Sequence, residues 1–154
     1  MQKFEELRDS GERLLLRGAA IVGLGGVALI HVLDLQAKFE EAPLIGVSYV
    51  ILILGSLWAA AVLIRKDSRL AWIVGGGLAF LTIIGYVLSR TTGLPTASDD
   101  IGNWLEPLGA ASLFVEGWTV LVTVWALWFP AMSASAAAGR TLEEATSGSG
   151  RRAA

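Results

Sequence analysis

Leu44-Ile-Gly-Val-Ser-Tyr-Val-Ile-Leu-Ile-Leu-Gly-Ser-Leu-Trp-Ala-Ala-Ala-Val-Leu-Ile64 carries no charge from end to end. At helical rise the stretch covers ~30 Å, the thickness of a bilayer's hydrocarbon core. Large apolar residues recur on every side of the helical wheel, so no polar face is left for water. The stretch predicts a membrane-crossing helix and argues against a soluble bundle.

Three further stretches read the same way: Leu14 to Leu35, Leu70 to Ser89 and Leu108 to Met132. The third of the four spans is also uncharged. The first holds Arg17 near its start and His31 and Asp34 near its end, and the fourth holds Glu116. The expected fold class is all-α, a four-transmembrane-helix antiparallel bundle. The first span should act as an uncleaved signal anchor, because a charged segment precedes it and no small-residue cleavage site follows.

Orientation follows from the basic residues of the short connections. Lys3, Arg8, Arg13 and Arg17 precede or enter the first span, Arg65, Lys66 and Arg69 follow the second, and Arg140, Arg151 and Arg152 lie in the tail. Only Lys38 and Arg90 fall on the other side, among Asp34, Glu40, Glu41, Asp99, Asp100 and Glu106. Both termini are therefore expected in the cytoplasm, in the plasma membrane, with two acidic loops outside. Tyr49, Tyr86 and Trp104 fall at the outer headgroup level and Trp72, Trp125 and Trp128 at the inner one. Trp58 and Trp118 sit deeper, as packing or lipid-facing residues.

A chain of 154 residues with a net charge of −2 is one domain with no case for nucleic acid. It has no cysteine and one histidine, so thiol chemistry and a thiolate metal site are excluded. A bis-histidine haem would need His31 from two copies of the chain. Neither a catalytic signature nor metal-ligand spacing is present, and no cofactor is expected. Residues 1–13 alternate acids and bases and read as an amphipathic cytoplasmic lead-in, a short helix on the inner membrane surface that continues into the first span, either a docking helix or a solvated extension. Residues 133–154 are rich in Ala, Ser and Gly and are expected to form a disordered cytoplasmic tail.

Small residues recur at helical spacing: Ala19 and Gly23, Gly55 and Ala59, Ala71 with Gly75 and Ala79, and Gly109 with Gly117. Such stripes allow close helix approach, and they predict a compact bundle with the first and third spans near its centre. The polar residues at membrane depth are the functional candidates, since burying them is costly. His31, Asp34, Tyr86, Arg90 and Glu116 come from three spans at similar depth and form an expected outward-facing polar cluster. Arg17 is expected to snorkel to the inner headgroups. The cluster admits three readings: interhelical pairs that fix register, such as Arg90 with Glu116 or Asp34; a ligand, proton or ion site; or a contact surface for a partner subunit.

The second outer loop, Arg90 to Gly109, is the most distinctive stretch. Gly93 and Pro95 should stop the third span, and Pro107 suits the first turn of the fourth. Ser98 can cap a short interfacial helix bearing Asp99 and Asp100, with Trp104 on the membrane surface. Asp99, Asp100, Asn103, Trp104 and Glu106 form a second candidate set, an outer contact surface. Calcium at the three acids is disfavoured, because their spacing matches no EF-hand. A lid over the polar cluster fits the composition better.

Leu14-Leu-Leu-Arg17, His31-Val-Leu-Asp34, Glu41-Ala-Pro43-Leu-Ile-Gly46, Gly85-Tyr-Val-Leu-Ser-Arg90, Gly93-Leu-Pro95 and Asp100-Ile-Gly-Asn-Trp-Leu-Glu-Pro-Leu-Gly109 together resemble uncharacterised four-helix membrane proteins of actinobacterial type. The resemblance spans residues 14 to 130 and implies topology without an activity. The first span is also similar to the DoxX group, whose first helix is entered by Arg and left by Lys, here Arg17 and Lys38. Small multidrug transporters share the span count, but their essential acid lies in the first helix and Glu116 lies in the fourth. Two functional expectations follow. One is a non-catalytic accessory or scaffold subunit beside a larger membrane or extracytoplasmic partner, or a second copy of itself. The alternative is a minimal transporter or ligand-binding protein that uses the polar cluster.

Overall fold

A computed structural model of the protein describes residues 2–94 and 100–128. Among these residues the fold is four α-helices: α1 (Gln2–Glu41), α2 (Pro43–Arg65), α3 (Arg69–Thr91) and α4 (Pro107–Trp128). All four are long and apolar enough to cross a membrane. Residues 129–132, the far end of the expected fourth span, and the tail 133–154 lie outside the described residues.

Local chemistry sets the helix ends. Ala42 is extended (φ −152°, ψ 102°) because Pro43 follows it, and Pro43 then opens α2. The ring of Phe39 lies on Gly46, where any Cβ would meet it, so α1 and α2 turn back on each other tightly. Gly93 ends α3 in the left-handed conformation (φ 77°), its N–H donating to Leu88 O at 2.9 Å. Pro107 begins α4, as the sequence predicts, whereas Pro95 lies outside the described residues.

Cross-helix contacts run in opposite directions for each successive pair. Arg17 reaches Leu63 while Phe39 covers Gly46. Gly55 lies against Leu78 and Gly75 against Ala59. Gly76 lies against Thr123 and Gly109 against Tyr86. α4 closes on α1 through Gly23 with Thr119 and Gly26 with Val115. The helices are thus antiparallel neighbours, and α1 meets α3 where Leu24 lies on Gly75.

The bundle buries a polar set beside its apolar core of Leu24, Leu63 and Trp72 and exposes large apolar side chains outside. His31, Ser56, Ser112, Glu116, Thr119 and Thr123 are buried, while Leu15, Val22, Leu44, Leu81, Phe114 and Leu121 are exposed. Contiguous exposed apolar surface on this scale is foreign to soluble monomers. In lipid the same arrangement is stable, because packing of small residues and interhelical hydrogen bonds hold the helices together.

Helix α1 runs forty residues from Gln2, ~60 Å, so the amphipathic lead-in continues into the first span without a break, because Glu, Arg and Leu propagate a helix irrespective of hydropathy. Two expectations, on Gly117 and Trp72, need correction. Gly117 faces open space and packs on nothing. The buried stripe of α4 is instead Ser112, Glu116, Thr119, Thr123 and Ala126, at alternating spacings of four and three. Trp72 is 1% exposed, so it packs inside the bundle and is not in the headgroup belt. Between α3 and α4, residues 100–106 run as turns, with Gly102 at φ 81°. Ser98 and Asp99, where the short interfacial helix was expected to begin, lie outside the described residues.

Candidate functional site

Polar side chains gather at both ends of the bundle and build different things. At one end, Arg13 pairs with Asp67 of the α2–α3 turn at 2.5 Å and donates to Ala126 O at 2.6 Å. Asp67 also accepts the Trp72 indole N–H at 2.7 Å. Arg17 does not snorkel: it donates to Leu63 O at 2.9 and 2.5 Å and to Ile64 O at 3.2 Å. It thereby satisfies carbonyls that the last turn of α2 leaves free. These contacts tie α1, α2, α3 and α4 together as a clamp. The sequence signal for it is a lone acid in the basic connection Arg65-Lys66-Asp67-Ser68-Arg69.

The opposite end holds the expected polar cluster around a cavity of about 280 Å³. His31, Asp34, Tyr86 and Arg90 all line it. Glu116 stands behind them: its Oε1 lies 3.7 Å from His31 Nε2 and accepts the Ser112 hydroxyl at 2.5 Å. His31 Nδ1 lies 2.9 Å from Val27 O, which only an N–H can satisfy, so Nδ1 carries a proton. In the neutral ring Nε2 then presents a lone pair toward Glu116. Glu116 Oε2 is buried without a hydrogen-bond partner.

Arg90 does not pair with Glu116 or Asp34. Its guanidinium forms an ion pair with Asp100, lies 3.3 Å from Glu106 Oε2, and stacks 4.8 Å from the centre of the Tyr86 ring. Its own carbonyl accepts the Gly102 N–H at 2.9 Å. Glu106 in turn caps α4, accepting the N–H groups of Leu108 and Gly109 at 3.2 and 2.8 Å. Arg90 thus folds the described part of the loop down so that Asp100 and Glu106 form part of the cavity wall. Of the outer contact set, Asp100 and Glu106 are spent on Arg90. Trp104 accepts the Tyr86 hydroxyl at its carbonyl (3.0 Å) and meets the Tyr86 ring edge-on, Asn103 is exposed, and Asp99 lies outside the described residues.

Sequence reading missed three wall residues. Lys38 bridges Glu41 (2.6 Å) and Asp100 (3.4 Å). The Tyr49 hydroxyl lies 3.4 Å from Asp34 Oδ2, and its ring meets His31 edge-on at 4.6 Å. Ser112 lines the cavity one turn before Glu116. The position of Tyr49 at headgroup height matched a belt residue, and height on a helix does not reveal which way a ring points. The deeper wall is apolar, with Ile30, Leu52, Leu78 and Leu81.

Comparison with protein families, curated proteins and solved structures finds no match to this chain.

Proposed function

We propose that this is a multi-pass protein of the plasma membrane, with both termini cytoplasmic, that binds a small amphipathic molecule in the cavity between the four helices. The observation that carries the reading is the cavity itself. It is about 280 Å³, charged at one end and apolar along its depth, and lined by the side chains that are costly to bury. Compact ligand sites are built this way, with a few convergent polar groups in an apolar pocket. The basic residues Arg13, Arg17, Arg65, Lys66 and Arg69 gather at the clamp end, which supports placing that end in the cytoplasm and the cavity toward the outer leaflet.

The test is native mass spectrometry of the protein extracted gently from its membrane. Gly85 lines the cavity and a Cβ there would meet nothing within 4 Å, so the bulk of Gly85→Leu starts in open space. The expected result is a small-molecule adduct on the wild type that Gly85→Leu loses. A larger protein co-purifying with a ligand-free chain would instead favour the accessory-subunit reading.

A further inference from the structure

The charges around the cavity do not balance. Its wall carries three carboxylates, Asp34, Asp100 and Glu106, against two cations, Lys38 and Arg90. Both cations are occupied: Lys38 by Glu41 and Asp100, Arg90 by Asp100 and Glu106. Asp34 is the wall carboxylate that, among the described residues, has no cation within 4 Å; the charge of Lys38, one helical turn on, reaches it only at longer range. Its one hydrogen bond is the 3.4 Å contact from the Tyr49 hydroxyl. It is half-buried, beside the aromatic rings of Tyr49 and His31. A carboxylate in a low-dielectric wall attracts a counter-ion far more strongly than one in water, and aromatic faces add to the attraction for a desolvated cation. An incoming anion would meet an unpaired negative group and find both cations already engaged.

The shape of the cavity defines the rest of the ligand. From Arg90 to Leu78 the α3 wall extends ~18 Å along the helix, and its deep part is apolar. Three lining residues, Ser48 and Ile51 of α2 and Leu81 of α3, are also exposed on the outside of the bundle. The cavity therefore has a side opening between α2 and α3, on the surface that faces lipid in the membrane reading.

We propose that the cavity takes a small lipophilic cation, with one positively charged nitrogen at Asp34 and an apolar body along Leu52, Leu78 and Leu81, admitted sideways from the membrane between α2 and α3. This rests on the ligand-binding reading above and specifies its substrate class.

Three probes with one body and three head charges test it: 4-phenylbutylamine, 4-phenylbutanol and 4-phenylbutyrate. Binding is measured by isothermal titration calorimetry on the full chain in nanodiscs of zwitterionic lipid, with empty nanodiscs subtracted. The amine should bind about tenfold more tightly than the alcohol, and Asp34→Asn should remove that advantage while leaving the alcohol unchanged. Lys38→Gln, which removes a competing positive charge, should tighten the amine, so the charge argument stays testable if Asp34→Asn fails to fold. Alcohol or butyrate binding as tightly as the amine would overturn the cation and keep the cavity. An amine affinity unchanged in Asp34→Asn would also overturn it. Wild-type protein that binds none of the three would overturn the cation class. If it also carries no adduct after native extraction, the ligand-binding reading falls with it.

Discussion

Glu116 and His31 face each other across the α1–α4 interface at 3.7 Å, with side chains 0% and 4% exposed. Glu116 has no other ion-pair partner within 4 Å among the described residues, whereas His31 also interacts with Asp34, and a proton shared between Nε2 and Glu116 makes the close pair tolerable at membrane depth. Their effects on stability should be strongly non-additive. His31→Ala and Glu116→Gln, singly and combined, should show a coupling of about 0.5–3 kcal/mol in reversible unfolding in mixed micelles. Additive losses would show that the two groups do not interact.

Arg90 holds the loop through two carboxylates and the Tyr86 ring. Charge-assisted hydrogen bonds of this kind contribute about 1.5–3 kcal/mol each. Arg90→Gln should speed hydrogen exchange in residues 100–106 by roughly tenfold or more. Amides around Arg13 and Asp67 should not change. Arg90→Lys should rescue poorly, because an ammonium cannot serve two carboxylates and stack on a ring as a planar fork does.

How much of this was legible in the sequence depends on which coordinate is asked about. Height in the membrane is readable, because hydropathy and helical rise set it. His31, Asp34, Tyr86 and Arg90 were placed together on that ground, and they share one cavity. Direction around the helix axis is not readable from one chain, since it depends on neighbours that the sequence does not locate. Arg90 was therefore matched with Glu116 or Asp34 and turned out to hold Asp100 and Glu106. Gly117 was matched with Gly109 by spacing, yet only Gly109 packs, on Tyr86. The α4 stripe from Ser112 to Ala126 was present in the sequence as a repeat of small and polar residues, hidden because Glu116 was read alone.

The clamp at the other end depends on one carboxylate. Asp67 serves the Arg13 guanidinium and the Trp72 indole together. Asp67→Ala leaves the Trp72 indole unpaired and Arg13 with only the Ala126 carbonyl, and should lower stability by about 1–3 kcal/mol in thermal unfolding in detergent. Asp67→Asn keeps an acceptor for Trp72 and should cost less. Equal losses in the two variants would mean that the indole bond contributes nothing.

The chain has no cysteine, so single cysteines report orientation without background. Lys66→Cys in the exposed α2–α3 turn should react with a membrane-impermeant maleimide only after cells are permeabilised. Thr92→Cys, exposed just past α3, should react in intact cells. The reverse pattern would invert the topology and place the cavity toward the cytoplasm.

The central claim is that a small molecule occupies the cavity from the membrane side. Photolabelling of native membranes with a diazirine-bearing alkylamine tests it most directly, with adducts mapped by peptide mass spectrometry. A ligand in the cavity gives adducts concentrated on Leu52 and Leu78, reduced by unlabelled 4-phenylbutylamine and lost in Gly85→Leu. Adducts spread over lipid-facing residues such as Leu29, Phe114 and Leu121, with none in the cavity and no competition, would contradict it.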